Sequence, residues 1–281
     1  MLHKKYDKLL FFTAGSPIST NGTGSINGLN EVKNLELDGM ELEFVRGVRM
    51  KSDFAAEVNK ERQKLNLRLT AHAPYYINLN SHDLKKVHES MERILLAARI
   101  AKTAGADSIT FHAGYYLGDD KEIVYLRIKQ ALQKITDDLK KEGIDIWIRP
   151  ELTDKDSQFG SLSELIRISR DVENVLPCID FAHYYARSIG RYNSYNDFAG
   201  LLKEIKTGLG YRVLSNMHMH FSGIEYSDKG ERKHLMLKDS EFNYKALLKA
   251  LRDFDVKGAL VSESPNIEKD ALIMKNIYFE H

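Results

Sequence analysis

The sequence predicts a (β/α)8 barrel, a TIM barrel, on three observations. Short apolar runs rich in β-branched and aromatic residues alternate with longer stretches of helical period. Eight such runs occur. The length of 281 residues suits eight β–α units, which need about 250 residues. One domain over residues 1–281 is expected, because no Pro- or Ser-rich linker, low-complexity tract or repeat beyond the alternation interrupts the chain.

The strand candidates, in order, are KLLFFTAG (8–15), MELEFV (40–45), LRLTAHA (67–73), SITFHAG (108–114), IDIWIRPE (144–151), NVLPCID (174–180), VLSNMHMHF (213–221) and ALVSES (259–264). Between them lie helical patterns. The clearest covers 82–105, apolar at Val87, Met91, Leu95 and Ala98 and stopped by Gly105; a second covers 121–143 and again ends in Gly. Further helices are expected near 24–36, 52–64, 161–173, 195–207 and 241–254. An open doubly wound sheet is the competing architecture. It is disfavoured because TAGSPISTNGTGS after the first strand lacks the G-x-G-x-x-G spacing of a dinucleotide site.

Composition excludes several classes. A formal charge of +1 gives no global attraction to nucleic acid or membrane, so any polyanion site needs locally clustered Lys and Arg. The single cysteine, Cys178, rules out an internal disulfide framework and a thiolate-rich zinc site, and fits a reducing cytoplasm. No run approaches the roughly 20 apolar residues of a membrane span. The opening MLHKKYDKLLFF leads straight into a strand, so no signal peptide is expected.

Chemistry in such a barrel sits at the C-terminal strand ends. Read in order from the third strand, those ends carry His72, His112, Glu151, Asp180 with His183, His220 and Glu263. Asp, Glu and His make up 50 of the 281 residues. Six consecutive hits are then about a one-in-a-thousand coincidence if two positions per end are allowed. Singly, each residue has an ordinary reading. Asp180 would cap a βα turn, Glu151 would be a helix cap or a surface charge, and either early histidine would be a hydrogen-bonded structural residue. Convergence on one rim favours a metal site, and paired carboxylates with imidazoles suit zinc, with manganese or iron as alternatives. His218 lies two residues before His220 on the same strand face and is expected inside the barrel.

AHAPYYINL (71–79), FHAG (111–114), RPEL (149–152), CIDFAHYYA (178–186), MHFSG (219–223) and LVSES (260–264) resemble, in order, the motif series of endonuclease IV. That is AP endonuclease family 2, a xylose isomerase-like barrel whose members cleave DNA 5′ to abasic sites. The resemblance implies a trinuclear zinc barrel, and two or three zinc ions are expected here. His72, His112 and Glu151 would hold the first. Glu151, Asp180, His220 and Glu263 would surround the second, with Glu151 bridging, and His183 would hold the third. Glu151 and Glu263 would carry the hydrolysis, and Tyr75 matches a tyrosine inserted near the abasic site. One departure stands out. The family joins His183 with an Asp-x-His pair, whereas DKGERKHLML (228–237) places Arg232 two residues before His234. Either Glu231 and His234 serve at altered spacing, or the third ion is weakened or lost.

Expected rim loops carry the cations for a DNA groove: Arg46 and Arg49 after the second strand, Lys155 after the fifth, Arg187 and Arg191 after the sixth, and Arg232 after the seventh. The expected partner is double-stranded DNA with an abasic site, and the expected state a monomer. Two other functions compete. A xylose isomerase-like sugar isomerase or epimerase would use fewer imidazoles, one or two divalent ions and a closed pocket. A binding protein on a barrel scaffold would bind without metal and turn nothing over.

Overall fold

The computed structural model describes residues 6–280 of the chain. Those residues form ten strands and nine α-helices. The strands are β1 (Leu9–Ala14), β2 (Gly39–Glu43), β3 (Arg68–His72), β4 (Ser108–Phe111), β5 (Trp147–Pro150), β6 (Cys178–Asp180), β7 (Met217–Phe221), β8 (Gly223–Ser227), β9 (Gly230–Leu235) and β10 (Gly258–Ser262). Eight of them form one sheet in the order β5-β4-β3-β2-β1-β10-β7-β6. At the two ends of the sheet, isolated parallel bridges pair Ile148 of β5 with Val175, which precedes β6, and Glu151, which follows β5, with Cys178 of β6. The fold is a TIM barrel.

Backbone contacts group the chain into two compact units. The first comprises Leu42–Thr153 and Ser157–Cys178. It contains α2 (Ser52–Lys64), α3 (Leu84–Thr103), α4 (Lys121–Lys141) and α5 (Leu162–Asp171). Helix α3 starts where Asp83 accepts the Lys85 amide, and it buries Ile94, Ala97, Ala98 and Ala101 against its neighbours. Ser161 and Glu164 close a reciprocal capping box at the start of α5.

The second unit comprises, among described residues, 6–41, 154–156 and 179–280. It carries α1 (Ser25–Asn34), α6 (Phe181–Arg187), α7 (Tyr195–Leu209), α8 (Tyr244–Asp253) and α9 (Glu268–Phe279). Strand alternation sorts its side chains cleanly. Leu10, Phe12, Ala259 and Val261 pack with Tyr6 into one cluster, with Ala14 at its edge. Phe11 points the other way, with ring centroids 5.7 Å from Tyr278 and 6.1 Å from Phe279 on α9. Register then places the polar residues. Ala259 pairs with His218, Val261 with His220, and Ala14 with Glu41. Since in-register residues of parallel strands share a face, Glu41, His218 and His220 lie on the face of Phe12 and Val261. Gly258 has φ 140°, and a Cβ there would run into the Met217 carbonyl, so β10 starts in a place only glycine can occupy.

Each of the eight sheet strands coincides with one of the eight expected runs, β2 and β10 beginning one residue earlier, at Gly39 and Gly258. The seventh run begins late, because Tyr211–Ser215 forms a 3-10 turn and pairing starts only at Met217. Three elements have no counterpart in the sequence reading: the short helix α6, the β8–β9 hairpin and the C-terminal helix α9. Among the described residues no helix is long and apolar enough to cross a membrane.

Phe12 is fully buried in the interior cluster. Phe12→Ala is therefore expected to cost about 3–5 kcal/mol, read from urea denaturation; a loss below about 1 kcal/mol would mean that this layer collapses around the cavity.

Candidate metal centres

In the first unit, β3 ends at His72, and His112 and Glu151 directly follow β4 and β5. Their ligand atoms lie within 4.8 Å of one another. Glu151 Oε2 is 3.3 Å from His72 Nε2 and 3.6 Å from His112 Nε2, and it accepts a 3.4 Å hydrogen bond from the Thr110 hydroxyl. His72 Nδ1 lies 2.7 Å from the Ala73 carbonyl. That contact places the proton on Nδ1 and leaves Nε2 as the lone-pair nitrogen.

The second unit holds two further sets. Asp180 ends β6 and caps α6, accepting the His183 amide at 2.8 Å. Its ordinary reading as a cap is thus realised together with its proximity to other ligand atoms. Asp180, His220 and Glu263 offer atoms within 4.8 Å of one another, with His220 Nδ1 3.4 Å from Glu263 Oε1. His183, Glu231 and His234 form the other set. Glu231 reaches both imidazoles at 3.1 Å, one with each oxygen, and His234 Nδ1 lies 3.0 Å from the Glu263 carbonyl.

The irregular spacing of Glu231 and His234 has a structural solution. Three residues apart on a regular strand, they would face opposite sides. In the hairpin, Glu225 pairs with Lys233 and Tyr226 with Glu231, so Arg232 is the extra residue of a β-bulge. One inserted residue reverses the alternation, and Glu231 and His234 meet on one side. Glu231 is held further by its amide, which donates to Asp154 at 2.7 Å.

Electrostatics within this set are strongly coupled. Burial alone would raise the Glu231 pKa, but hydrogen bonds and charge from His183 and His234 outweigh it and hold the carboxyl far below its ordinary value. Burial likewise opposes charge on His234, yet the Glu231 hydrogen bond and the carboxylates of Glu263, Glu231 and Asp180 lift it to about 9. Fully buried Glu41 follows the same rule. Burial pushes it up, and the charges and hydrogen bonds of His220 and His218 bring it well below the carboxylate range. Glu41 is the residue that sequence reasoning missed. The available signal was an acidic side chain within the apolar run MELEFV, between Met40 and Leu42, both of which are buried, whereas Glu43 is exposed.

The cationic and aromatic rim residues are placed unequally. Tyr75 is 65% exposed, with its ring 5.7 Å from His72. Arg46 and Arg49 are exposed after β2. Arg232 stands out at the bulge, 63% exposed and 3.5 Å from Glu225. Arg191 is exposed and donates to the Ser188 carbonyl. Lys155 is partly exposed, 3.7 Å from Asp154. Arg187 is only 15% exposed; it donates to the Lys155 carbonyl and lies 3.3 Å from Asp156, tying down loop 154–156.

Comparison with known proteins bears on what these centres serve. Residues 29–277 match the family described as xylose isomerase-like TIM barrel. An uncharacterized protein of Methanocaldococcus jannaschii is 43% identical over 97% of both chains. A probable endonuclease 4 of Mycoplasma genitalium is 23% identical, covering 70% of this chain and 67% of its own. Among solved structures, a D-tagatose 3-epimerase-like protein superposes with a TM-score of 0.73 at 18% identity over 96% of both chains. Endonuclease IV from Thermus thermophilus does so with a TM-score of 0.69 at 18% identity, over 96% of this chain and all of its own. At that identity the two structures speak for the fold alone.

The His234 shift has a definite sign. Its folded value, about 9, exceeds the ordinary histidine value of about 6.5. The stability it contributes is complete below about pH 6.5 and is lost as pH rises through about 9. The metal-free protein is expected to show that loss in urea midpoints, with the His234 resonance titrating near 9 and moving down in Glu231→Gln. A His234 resonance titrating near 6.5 in the wild type would contradict the coupling.

Proposed function

The chain belongs to the xylose isomerase-like TIM barrel family, an enzyme superfamily, and we propose that it is a metal-dependent hydrolase of the phosphodiester 5′ to abasic sites in DNA. The observation that carries this reading is the third donor set, His183–Glu231–His234. Two sets would serve an isomerase holding one or two ions; a further set, one buried imidazole with a partly buried imidazole and carboxylate, supports multinuclear phosphodiester chemistry. The weak similarity to proteins named probable endonuclease 4 points the same way.

The donors fit an ion on chemical grounds. The three sets described above are made of imidazoles and carboxylates, with ligand atoms within 4.8 Å, which suits Zn2+, with Mn2+ or Fe as alternatives. Bound ions would acidify water and offset charge developing on the phosphate. Glu151, buried and held by Thr110, keeps His72 and His112 oriented. The partly open Glu263 carboxylate accepts the proton of the attacking water. Tyr75 stacks in the space left by the missing base, and the exposed Arg191 and Arg232 bind backbone phosphates. Selectivity follows because a nucleotide without its base costs less to extrude.

A sugar isomerase or epimerase is the second reading, favoured by the superposition on the D-tagatose 3-epimerase-like protein. The Asp180–His220–Glu263 set would suffice for it. One assay separates the two: a duplex with a single synthetic abasic site, treated with metal-loaded and metal-stripped protein. Metal-dependent nicking that leaves a 3′-hydroxyl is expected, and Glu263→Gln should lower its rate by about 100-fold or more while leaving the thermal midpoint near that of the wild type. No nicking by protein that holds metal would transfer the reading to sugar chemistry. For binding, the double charge reversal Arg191→Glu, Arg232→Glu should weaken affinity for the duplex and reduce the slope of log K against log salt by about two. An unchanged slope would make both arginines solvated surface.

A further inference from the structure

We propose that Glu41 is a positioning residue for the metal centre: its carboxylate holds Nε2–H of both His218 and His220, so that His220 presents Nδ1 toward Glu263 and Asp180. The His220 ring lies between two carboxylates. Its Nε2 is 3.0 Å from Glu41 Oε1 and its Nδ1 is 3.4 Å from Glu263 Oε1. Only the second of these carboxylates belongs to a donor set. The other Glu41 oxygen lies 2.7 Å from His218 Nε2. Two imidazoles thus grip one carboxylate at both oxygens, which fixes its plane and, through it, the plane of the His220 ring.

Burial makes this arrangement strict. Glu41 and His220 are fully buried and His218 is 1% exposed. They occupy the interior face that Phe12 and Val261 fill with apolar atoms. A carboxylate there is a poor choice for stability, since hydrophobic residues of similar volume usually do as well or better. Its support is rigid: Glu41 sits on β2, and its carbonyl accepts the Gly15 amide at 2.9 Å.

The partner also sets His220 apart from His72 and His234. His72 and His234 each turn Nδ1 to a backbone carbonyl, at Ala73 and Glu263, and so present Nε2. His220 is reversed, and its outer partner is an anion. A carboxylate behind a ligating imidazole strengthens it as a donor and fixes its tautomer. Glu41 therefore strengthens His220 as the imidazole donor of its set, and His218 keeps Glu41 aimed. The proposal rests on the metal reading of the Asp180–His220–Glu263 set and is independent of whether the substrate is DNA or a sugar.

The test is the two-bond 1H–15N spectrum of histidine-labelled protein, metal-free and zinc-loaded, with zinc affinity measured by chelator competition. In both states His220 is expected to carry a slowly exchanging, downfield proton on Nε2, with zinc shifting only Nδ1. Glu41→Gln cannot accept from both imidazoles. It should lose one of the two downfield protons and bind zinc about 10–100-fold more weakly. Zinc at Nε2 of His220, or Glu41→Gln that binds zinc like the wild type while merely melting earlier, overturns the role given to Glu41. Failure of the wild type to take up zinc is a different result: it overturns the metal reading itself, and the positioning role with it.

Discussion

A carboxylate taken out of water must be matched by a donor, and this barrel buries several. Glu41, Glu151 and Asp180 are at most 1% exposed. Left unpaired, each would cost several kcal/mol or take up a proton. Each is matched instead. Glu151 faces two imidazoles and a hydroxyl, Asp180 an amide and an imidazole, and Glu41 two imidazoles. The histidines thus have two employments. Without metal, imidazoles stand against the buried carboxylates; with metal, an ion would supply the neutralising charge.

The same demand explains the least regular parts of the chain. Helix α6 is short, and the amide of its third residue, His183, is taken up by Asp180, so the residue that ends β6 also fixes His183. The β8–β9 hairpin spends one residue, Arg232, on a bulge, and this rotates Glu231 and His234 to the same side. The bulge also throws Arg232 outward into solvent. A change of ligand spacing and an exposed cation therefore come from a single inserted residue.

Fold by itself does not choose the chemistry. Structures of an endonuclease IV and of an epimerase-like protein superpose on this chain about equally well, at the same 18% identity. The choice falls to side chains. Asp180, His220 and Glu263 suit either reaction, whereas His183–Glu231–His234 has no evident use in a sugar pocket with one or two ions. Exposed Tyr75 and Arg232 add the stacking surface and the cation that a nucleic acid would meet.

The sequence by itself determined the barrel and most of the donors. Strand period and helical period are local properties, so runs such as KLLFFTAG and SITFHAG announce themselves, and a strand end marks where a ligand must lie. It did not reveal α9, which follows Pro265 and shows little amphipathic stripe until β1 lies beneath it. Tertiary structure alone decided three matters at the site. Whether Glu231 and His234 meet depends on a bulge, and a bulge depends on the partner strand's register. Whether Arg187 reaches out or turns inward depends on loop 154–156, more than 30 residues away in sequence. Whether Glu41 is a surface charge or the anion behind His220 depends on which face of β2 looks inward beside β7 residues about 180 positions later. Pairings between distant segments leave no periodic trace, because each partner is constrained only by the other and not by its own neighbours in the chain.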